Sequence, residues 1–195
     1  YEAIRVLGQN GAIVYVARSA RFDTPIALQV WSNRTLPANV AAMVGLEHPN
    51  VLGVLDFGEV AGHVYVALEY LEGVESLGAR LRRGPLPEAD ARALASVIVS
   101  VLQFLRERGV TIATPTPGDV LLGDTPKLML HSTSGHYVRP DFMAPEEMSH
   151  TQVTAATNDV YRVGALLYAM LTGRSPVSLD SVRATGWLSV PAPVP

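Results

Sequence analysis

Residues 109–122, with the sequence GVTIATPTPGDVLL, combine turn-forming residues with a single side chain that could do chemistry. Two Pro and three Thr favour fixed turns in this run, and Asp119 is its only ionisable residue. A carboxylate can bind a hard cation such as Mg²⁺, or it can cap a turn by accepting backbone N–H groups. A lone carboxylate on a loop favours capping or exposure to water, so Asp119 is a weak metal candidate.

The histidines offer no stronger metal site. They are His48, His63, His131, His136 and His150, and their spacing lacks the pattern of zinc ligands. His131 and His136, five residues apart, are the nearest pair and remain a minor candidate. The chain has no cysteine, which excludes thiolate ligands, a cysteine nucleophile and disulfides. We therefore expect no metal.

Composition limits the classes of function that remain. The 195 residues are 48% hydrophobic and 17% charged, which is typical of a globular chain with a sizeable core. A net charge of −3 gives no reason to expect a nucleic-acid partner. No apolar run approaches the ~18 residues that span a bilayer, so we expect no membrane insertion by this segment. The start at Tyr1 suggests an excised domain, and the lack of cysteine fits the cytoplasm, including the cytosolic part of a membrane protein.

The secondary-structure pattern changes along the chain. Aliphatic and β-branched runs predict five strands, at 4–7, 13–18, 25–31, 51–57 and 63–69, with a short helix over 37–46. Apolar residues at i, i+3, i+4 and i+7 predict a long helix over 87–108, which Gly109 ends. The pattern therefore predicts an α+β fold, built as one domain or as two small lobes.

Four segments resemble bacterial Hanks-type serine/threonine protein kinases. They are His48-Pro-Asn-Val, the frame of residues 109–122, Met143-Ala-Pro-Glu146, and the helix over 157–176. The resemblance implies a two-lobed kinase-like fold, with a small antiparallel β lobe at 1–71 and a mainly helical large lobe at 72–195. The family's last two helices have no counterpart after Leu179, so we expect a large lobe that is truncated after its central buried helix.

The resemblance fails at the positions that carry the family's chemistry. Gln29 replaces the phosphate-binding lysine, and Asn39 replaces the helix glutamate that pairs with it. Thr114 replaces the base aspartate, Asp119 the metal-binding asparagine, and Leu130 the metal-binding aspartate. Phosphoryl transfer depends on positioning and on charge neutralisation, and these substitutions remove most of the charge. The resemblance therefore implies a degenerate pseudokinase, with no enzymatic activity and no cofactor.

A vestigial nucleotide pocket is the family feature that survives best. By resemblance, Ala27 and Leu121 lie on either side of the adenine ring, and Leu68 guards the back of the pocket. Glu69 and Leu71 fall in the hinge segment whose backbone meets the base. All of these residues could equally be ordinary core residues.

Two classes of function stay open on this evidence. The first is a regulatory scaffold that binds a protein partner or an adjacent domain of a larger chain. Phosphate added to Ser132, Thr133 or Ser134 could also recruit a phosphothreonine-binding module. The second is an atypical nucleotide-binding transferase of the kinase type, or a nucleotide sensor. The retained apolar pocket favours the second class, and the missing lysine and metal ligand favour the first.

Overall fold

A computed structural model of the protein describes residues 1–9, 12–32, 39–131, 140–148 and 155–177. Several residues singled out in the sequence lie outside these ranges. They include the expected phosphate acceptors Ser132, Thr133 and Ser134, the histidines His136 and His150, and the chain after residue 177.

The N-terminal part is a five-stranded antiparallel sheet, as predicted. Its strands, in the spatial order β1-β2-β3-β5-β4, are β1 (Glu2–Gln9), β2 (Ile13–Ser19), β3 (Phe22–Ser32), β4 (Val54–Val60) and β5 (His63–Glu69). Strand β4 begins later than the predicted residue 51. The reason is that the backbone of Val51 and Leu52 pairs with Leu128 of the helical part, which withdraws both residues from the sheet.

The helix predicted over 37–46 is much shorter in the described residues. Only one 3-10 turn forms there, at Val40–Met43, and it buries Val40 and Met43 against the sheet side of the core. Val44 follows with an extended backbone and forms a bridge to Val54, and Gly45 has a left-handed φ of 73°. Since an extended residue cannot continue a helix, this bridge ends the turn.

The rest of the described chain is mainly helical. Its elements are β6 (Glu75–Ser76), α1 (Leu77–Leu81), α2 (Glu88–Glu107), a 3-10 turn (Pro117–Asp119), β7 (Val120–Leu122), β8 (Lys127–Leu128), α3 (Pro145–Met148) and α4 (Ala155–Thr172). Strands β6, β7 and β8 form a second, small antiparallel sheet. Helix α2 confirms the long helix predicted over 87–108, and the whole confirms the α+β class.

Helices α2 and α4 pack against each other to form the centre of the core. Ile98, Val101 and Leu105 of α2 are buried in the same apolar cluster as Leu166 and Met170 of α4. Each Å² of apolar surface removed from water stabilises the folded chain by about 25 cal/mol, so this contact is a main source of stability. In the part of the chain that the structure describes, no helix has both the length and the apolar character needed to cross a bilayer.

The sheet and the helical part are joined beside β8. Leu128 N–H donates to the carbonyl of Asn50 at 2.8 Å, and the Asn50 side-chain amide donates to the Pro126 carbonyl at 2.8 Å. The Lys127 ammonium binds both carboxylate oxygens of Glu69, the closer at 2.7 Å. These contacts join the two parts. The region where the parts meet, between β3 and residues 111–131, is called the cleft below.

His48 supports the turn that carries Asn50. The Asn50 N–H donates to Nδ1 of His48 at 3.1 Å, and the imidazole packs against the Phe104 ring with centroids 4.8 Å apart. Burial, and then the positive charge of Arg108, lower the pKa of His48 below its ordinary value. The folded chain therefore favours the neutral imidazole, whose Nδ1 is free to accept.

We predict that His48 makes the fold sensitive to mild acid. As the pH falls below about 6.5, the unfolded chain takes up this proton before the folded chain does, so stability is lost. His48→Asn retains a side-chain acceptor for the Asn50 N–H but cannot titrate. In urea unfolding between pH 7.5 and 5.5, the variant should lose less stability on acidification than the wild type. Equal losses would contradict this role, and the interval above pH 7 serves as the internal control.

Candidate functional site

The loop that carries Asp119 is closed by its own hydrogen bonds. Oδ2 of Asp119 accepts from the Thr116 N–H at 2.7 Å and from the Thr116 hydroxyl at 2.8 Å. The Gly118 N–H donates in turn to Thr116 Oγ1 at 3.2 Å. This is a capping box, in which Pro117 provides a fixed φ at the first position of the turn. The sequence folds this way because Thr and Asp stand three residues apart around Pro-Gly.

His131 occupies the second oxygen of the same carboxylate. Its Nε2 lies 2.9 Å from Oδ1 of Asp119, and its carbonyl accepts from the Ala113 N–H at 2.9 Å. Asp119 is fully buried, and both of its oxygens are engaged. A metal ion could bind there only by displacing these partners. Among the described residues, no three side chains of His, Cys, Asp or Glu are grouped as metal ligands.

Thr114, which the resemblance places at the position of the base aspartate, is tied to α3. Its hydroxyl donates to Oε2 of Glu147 at 3.0 Å. Oε1 of Glu147 accepts from the Arg162 guanidinium at 2.6 Å, in an ion pair that leaves only 9% of the Arg162 side chain exposed. The same guanidinium lies 3.4 Å from the Ile112 carbonyl. Arg162 thus holds the loop and α3 against α4.

Asp159 completes this cluster on the α4 side. It forms longer ion pairs with Arg162 at 3.4 Å and with Arg106 of α2 at 3.5 Å. Burial raises the pKa of Asp159, although both arginines act to lower it. The kinase resemblance implies that Asp159 anchors the backbone of the loop. In the described chain it acts through Arg162, whose guanidinium reaches the Ile112 carbonyl.

The remaining substituted positions present neutral groups to the cleft. Gln29 is buried on β3, and its amide contacts Met129 Sδ at 3.5 Å. The Asn39 amide donates to the carbonyl of Thr111 at 2.7 Å, so it ties the small part to the loop. Leu130 is 5% exposed and belongs to the apolar core. An amide or an alkyl group supplies no charge to a phosphate or a cation.

The residues of the expected nucleotide pocket come together in part. Ala27 and Leu68 are direct partners across β3 and β5, and they share one apolar cluster with Leu71 and Leu121. The Glu69 side chain is engaged away from this cluster, in the ion pair beside β8 and with the Gly53 N–H at 3.2 Å. Ala27 and Leu68 are therefore neighbours in the sheet, and the nucleotide pocket itself stays a prediction.

Sequence reasoning expected capping or exposure to water for Asp119, but it did not identify Thr116 as the capping partner and did not single out Arg162. The capping box could have been found, because Thr116-x-x-Asp119 is a known turn signature. Arg162 gave a weaker signal, as a charged residue inside an otherwise apolar helix pattern at 160–171. Its partner Glu147 could not be deduced, since no local pattern links residues on different elements.

Comparisons with known proteins bear on the family. The chain matches no model of a known protein family. It is 32% identical to the DNA damage-responsive serine/threonine-protein kinase RqkA of Deinococcus radiodurans, over all of this chain and 33% of the relative. CBL-interacting protein kinase 16 of Oryza sativa is 29% identical, over 90% of this chain and 44% of the relative. CBL-interacting serine/threonine-protein kinase 7 of Arabidopsis thaliana is 26% identical, over 94% and 49%.

These relatives support a protein-kinase-like family. The fold described above is accordingly a kinase-like fold of the α+β class. The chain spans between a third and a half of the length of these curated relatives. The relatives are named as kinases, which points to a kinase enzyme, so the prediction that the chain is not an enzyme is wrong on this comparison.

We predict that Asp119 is structural. Asp119→Ala leaves the buried Thr116 N–H and His131 without their acceptor, and it should destabilise the fold by about 2–4 kcal/mol in urea unfolding. Asp119→Asn keeps one oxygen for Thr116 and should cost about half as much. If Asp119→Ala were tolerated within about 0.5 kcal/mol, the capping role would be refuted and the carboxylate would be available as a ligand.

Proposed function

We propose that the chain is the kinase-like domain of a longer cytoplasmic signalling protein, and that it regulates by binding a protein partner or a neighbouring domain. The proposal rests on how the polar side chains of the cleft are paired. Its polar side chains are engaged with one another, with Asp119 closed by Thr116 and His131, and Thr114 held by Glu147. Side chains that are paired with one another keep this region in one conformation. A binding partner can recognise such a fixed surface.

The charge of the cleft supports the same proposal. Gln29 and Leu130 stand where the resemblance places a lysine and a metal-binding aspartate, and both are buried. Lys127, the sole lysine of the chain, is committed to Glu69 beside β8. A triphosphate with its Mg²⁺ therefore finds little of the charge that usually orients it.

A second candidate is an atypical nucleotide-binding transferase of the kinase type. Two observations favour it: the relatives are named as kinases, and Ala27, Leu68 and Leu121, which the resemblance places around a flat base, belong to one apolar cluster. In this case the base contributes most of the binding energy, and the residues that handle the phosphates differ from the family pattern.

The two candidates differ in their response to nucleotide. The thermal midpoint of the chain is measured against ATP concentration, alone and with Mg²⁺ or Mn²⁺. Nucleotide at a hundred times its Kd would stabilise the fold by about 2.7 kcal/mol, a shift of ~5–10 °C for a chain of this length. The partner-binding proposal predicts a shift of less than about 1 °C at millimolar ATP, with or without metal.

A metal-dependent shift of several degrees, together with transfer of the γ-phosphate to a protein substrate, would overturn that proposal in favour of the transferase. A metal-independent shift would favour a nucleotide sensor. Gln29→Lys is the matched variant, because it restores a cation at the buried position on β3. It should increase the shift only if the nucleotide enters this cleft.

A further inference from the structure

A cavity of about 410 Å³ lies on the helical part, outside the cleft described above. Its walls are α1 with the residues on either side of it, the start of the 3-10 turn at Pro117–Asp119, and the C-terminal end of α4 with the residues that follow it. The walls approach closely at Gly78, where a Cβ would lie 3.3 Å from the Gly118 backbone nitrogen. A volume of this size is in the range of ligand sites in proteins.

The charge of this cavity has one sign. Arg82 and Arg174 both line it, although they are far apart in the sequence and belong to different walls, and no carboxylate is among the lining residues. Both arginines are exposed, and the described chain gives neither guanidinium a hydrogen-bond or ion-pair partner. Glu75, whose pKa Arg82 helps to lower, is already bound through both oxygens by Arg83.

The cavity also offers hydroxyl groups. Ser76 accepts from the Ala79 N–H through Oγ, so its O–H remains able to donate. Two guanidinium groups and a hydroxyl around an open cavity match the oxygens of a phosphomonoester, which carries a charge of about −1.5 to −2. A single carboxylate would match only half of this charge.

We propose that this cavity binds a phosphorylated serine or threonine on a protein partner, with Arg82 and Arg174 as the phosphate-binding residues. The inference rests on the partner-binding function proposed above and names the chemistry that the partner presents. One wall of the cavity is the turn of Thr116 and Gly118, so a bound segment lies on the outer side of the loop that Asp119 closes.

The test is an NMR titration of the ¹⁵N-labelled chain with a five-residue peptide that carries phosphoserine between alanines. The same peptide with serine or glutamate, and inorganic phosphate, are titrated in parallel. We expect saturable shifts of the amides of Gly118, Gly173 and Ser175 with the phosphopeptide, weaker ones with glutamate, and none with serine.

Variants test the assignment of the two arginines. Arg82→Gln and Arg174→Gln should each weaken phosphopeptide binding by about threefold, and the double variant by about tenfold or more. The matched control is Arg18→Gln, which removes an exposed arginine from β2 in the sheet and should leave the Kd unchanged. Both cavity arginines are exposed, so their loss should leave the thermal midpoint close to that of the wild type.

Three results would overturn the inference: no shifts at these amides, equal binding by the double variant, or equal shifts with inorganic phosphate, which would show a small-anion site only. These results are independent of the ATP titration. If the chain binds no phosphopeptide and its thermal midpoint does not respond to ATP, this cavity is not a docking site. The partner-binding proposal would then still stand.

Discussion

The ion pair between Glu147 and the buried Arg162 is the constraint on which the rest of the site depends. Arg162 lies inside α4, the helix around which the core is packed, so its guanidinium must find partners within the protein. It finds them on α3, through Glu147, and on the loop, at the Ile112 carbonyl. A buried charge without a partner would destabilise the fold. The need to pair Arg162 therefore holds α3, α4 and the loop together.

The loop after α2 derives its shape from this coupling. Thr114 is held by the same glutamate, and a few residues further on Asp119 and Thr116 close the turn that leads into β7. Thr114 and Asp119 also have partners on other segments, Glu147 and His131, and these contacts fix the loop at the centre of the cleft. The Nε–H of Arg162 and Oδ1 of Asn158 are buried without a hydrogen-bond partner among the described residues.

Local sequence patterns predicted the elements well, because these depend on residues close together in the chain. The long apolar pattern of α2 and the five strands follow from spacing alone. The predictions are wrong where a contact with a distant segment of the backbone determines the local structure. Val51 and Leu52 have the residue types of a strand, but their backbone pairs with Leu128 instead of with the sheet. Val44 forms a bridge to Val54 and therefore does not continue the predicted helix.

The site was predictable to a smaller degree. The resemblance identified the substituted positions Gln29, Thr114 and Leu130, but it could not say what those side chains would contact. The partner of a buried charge depends on tertiary packing, so the sequence could reveal Arg162 as unusual and could not name Glu147. The comparison with named kinases also corrected the expectation about enzymatic activity, which substitutions alone do not decide.

A double-mutant cycle on Glu147 and Arg162 tests this account most directly. The free energy of unfolding is measured in urea for the wild type, Glu147→Gln, Arg162→Met and the double variant. If the pair organises the site, each single change costs about 3–5 kcal/mol, and the double variant costs about 2–3 kcal/mol less than their sum. Effects that add within about 0.5 kcal/mol would contradict the account, because the two side chains would then act independently.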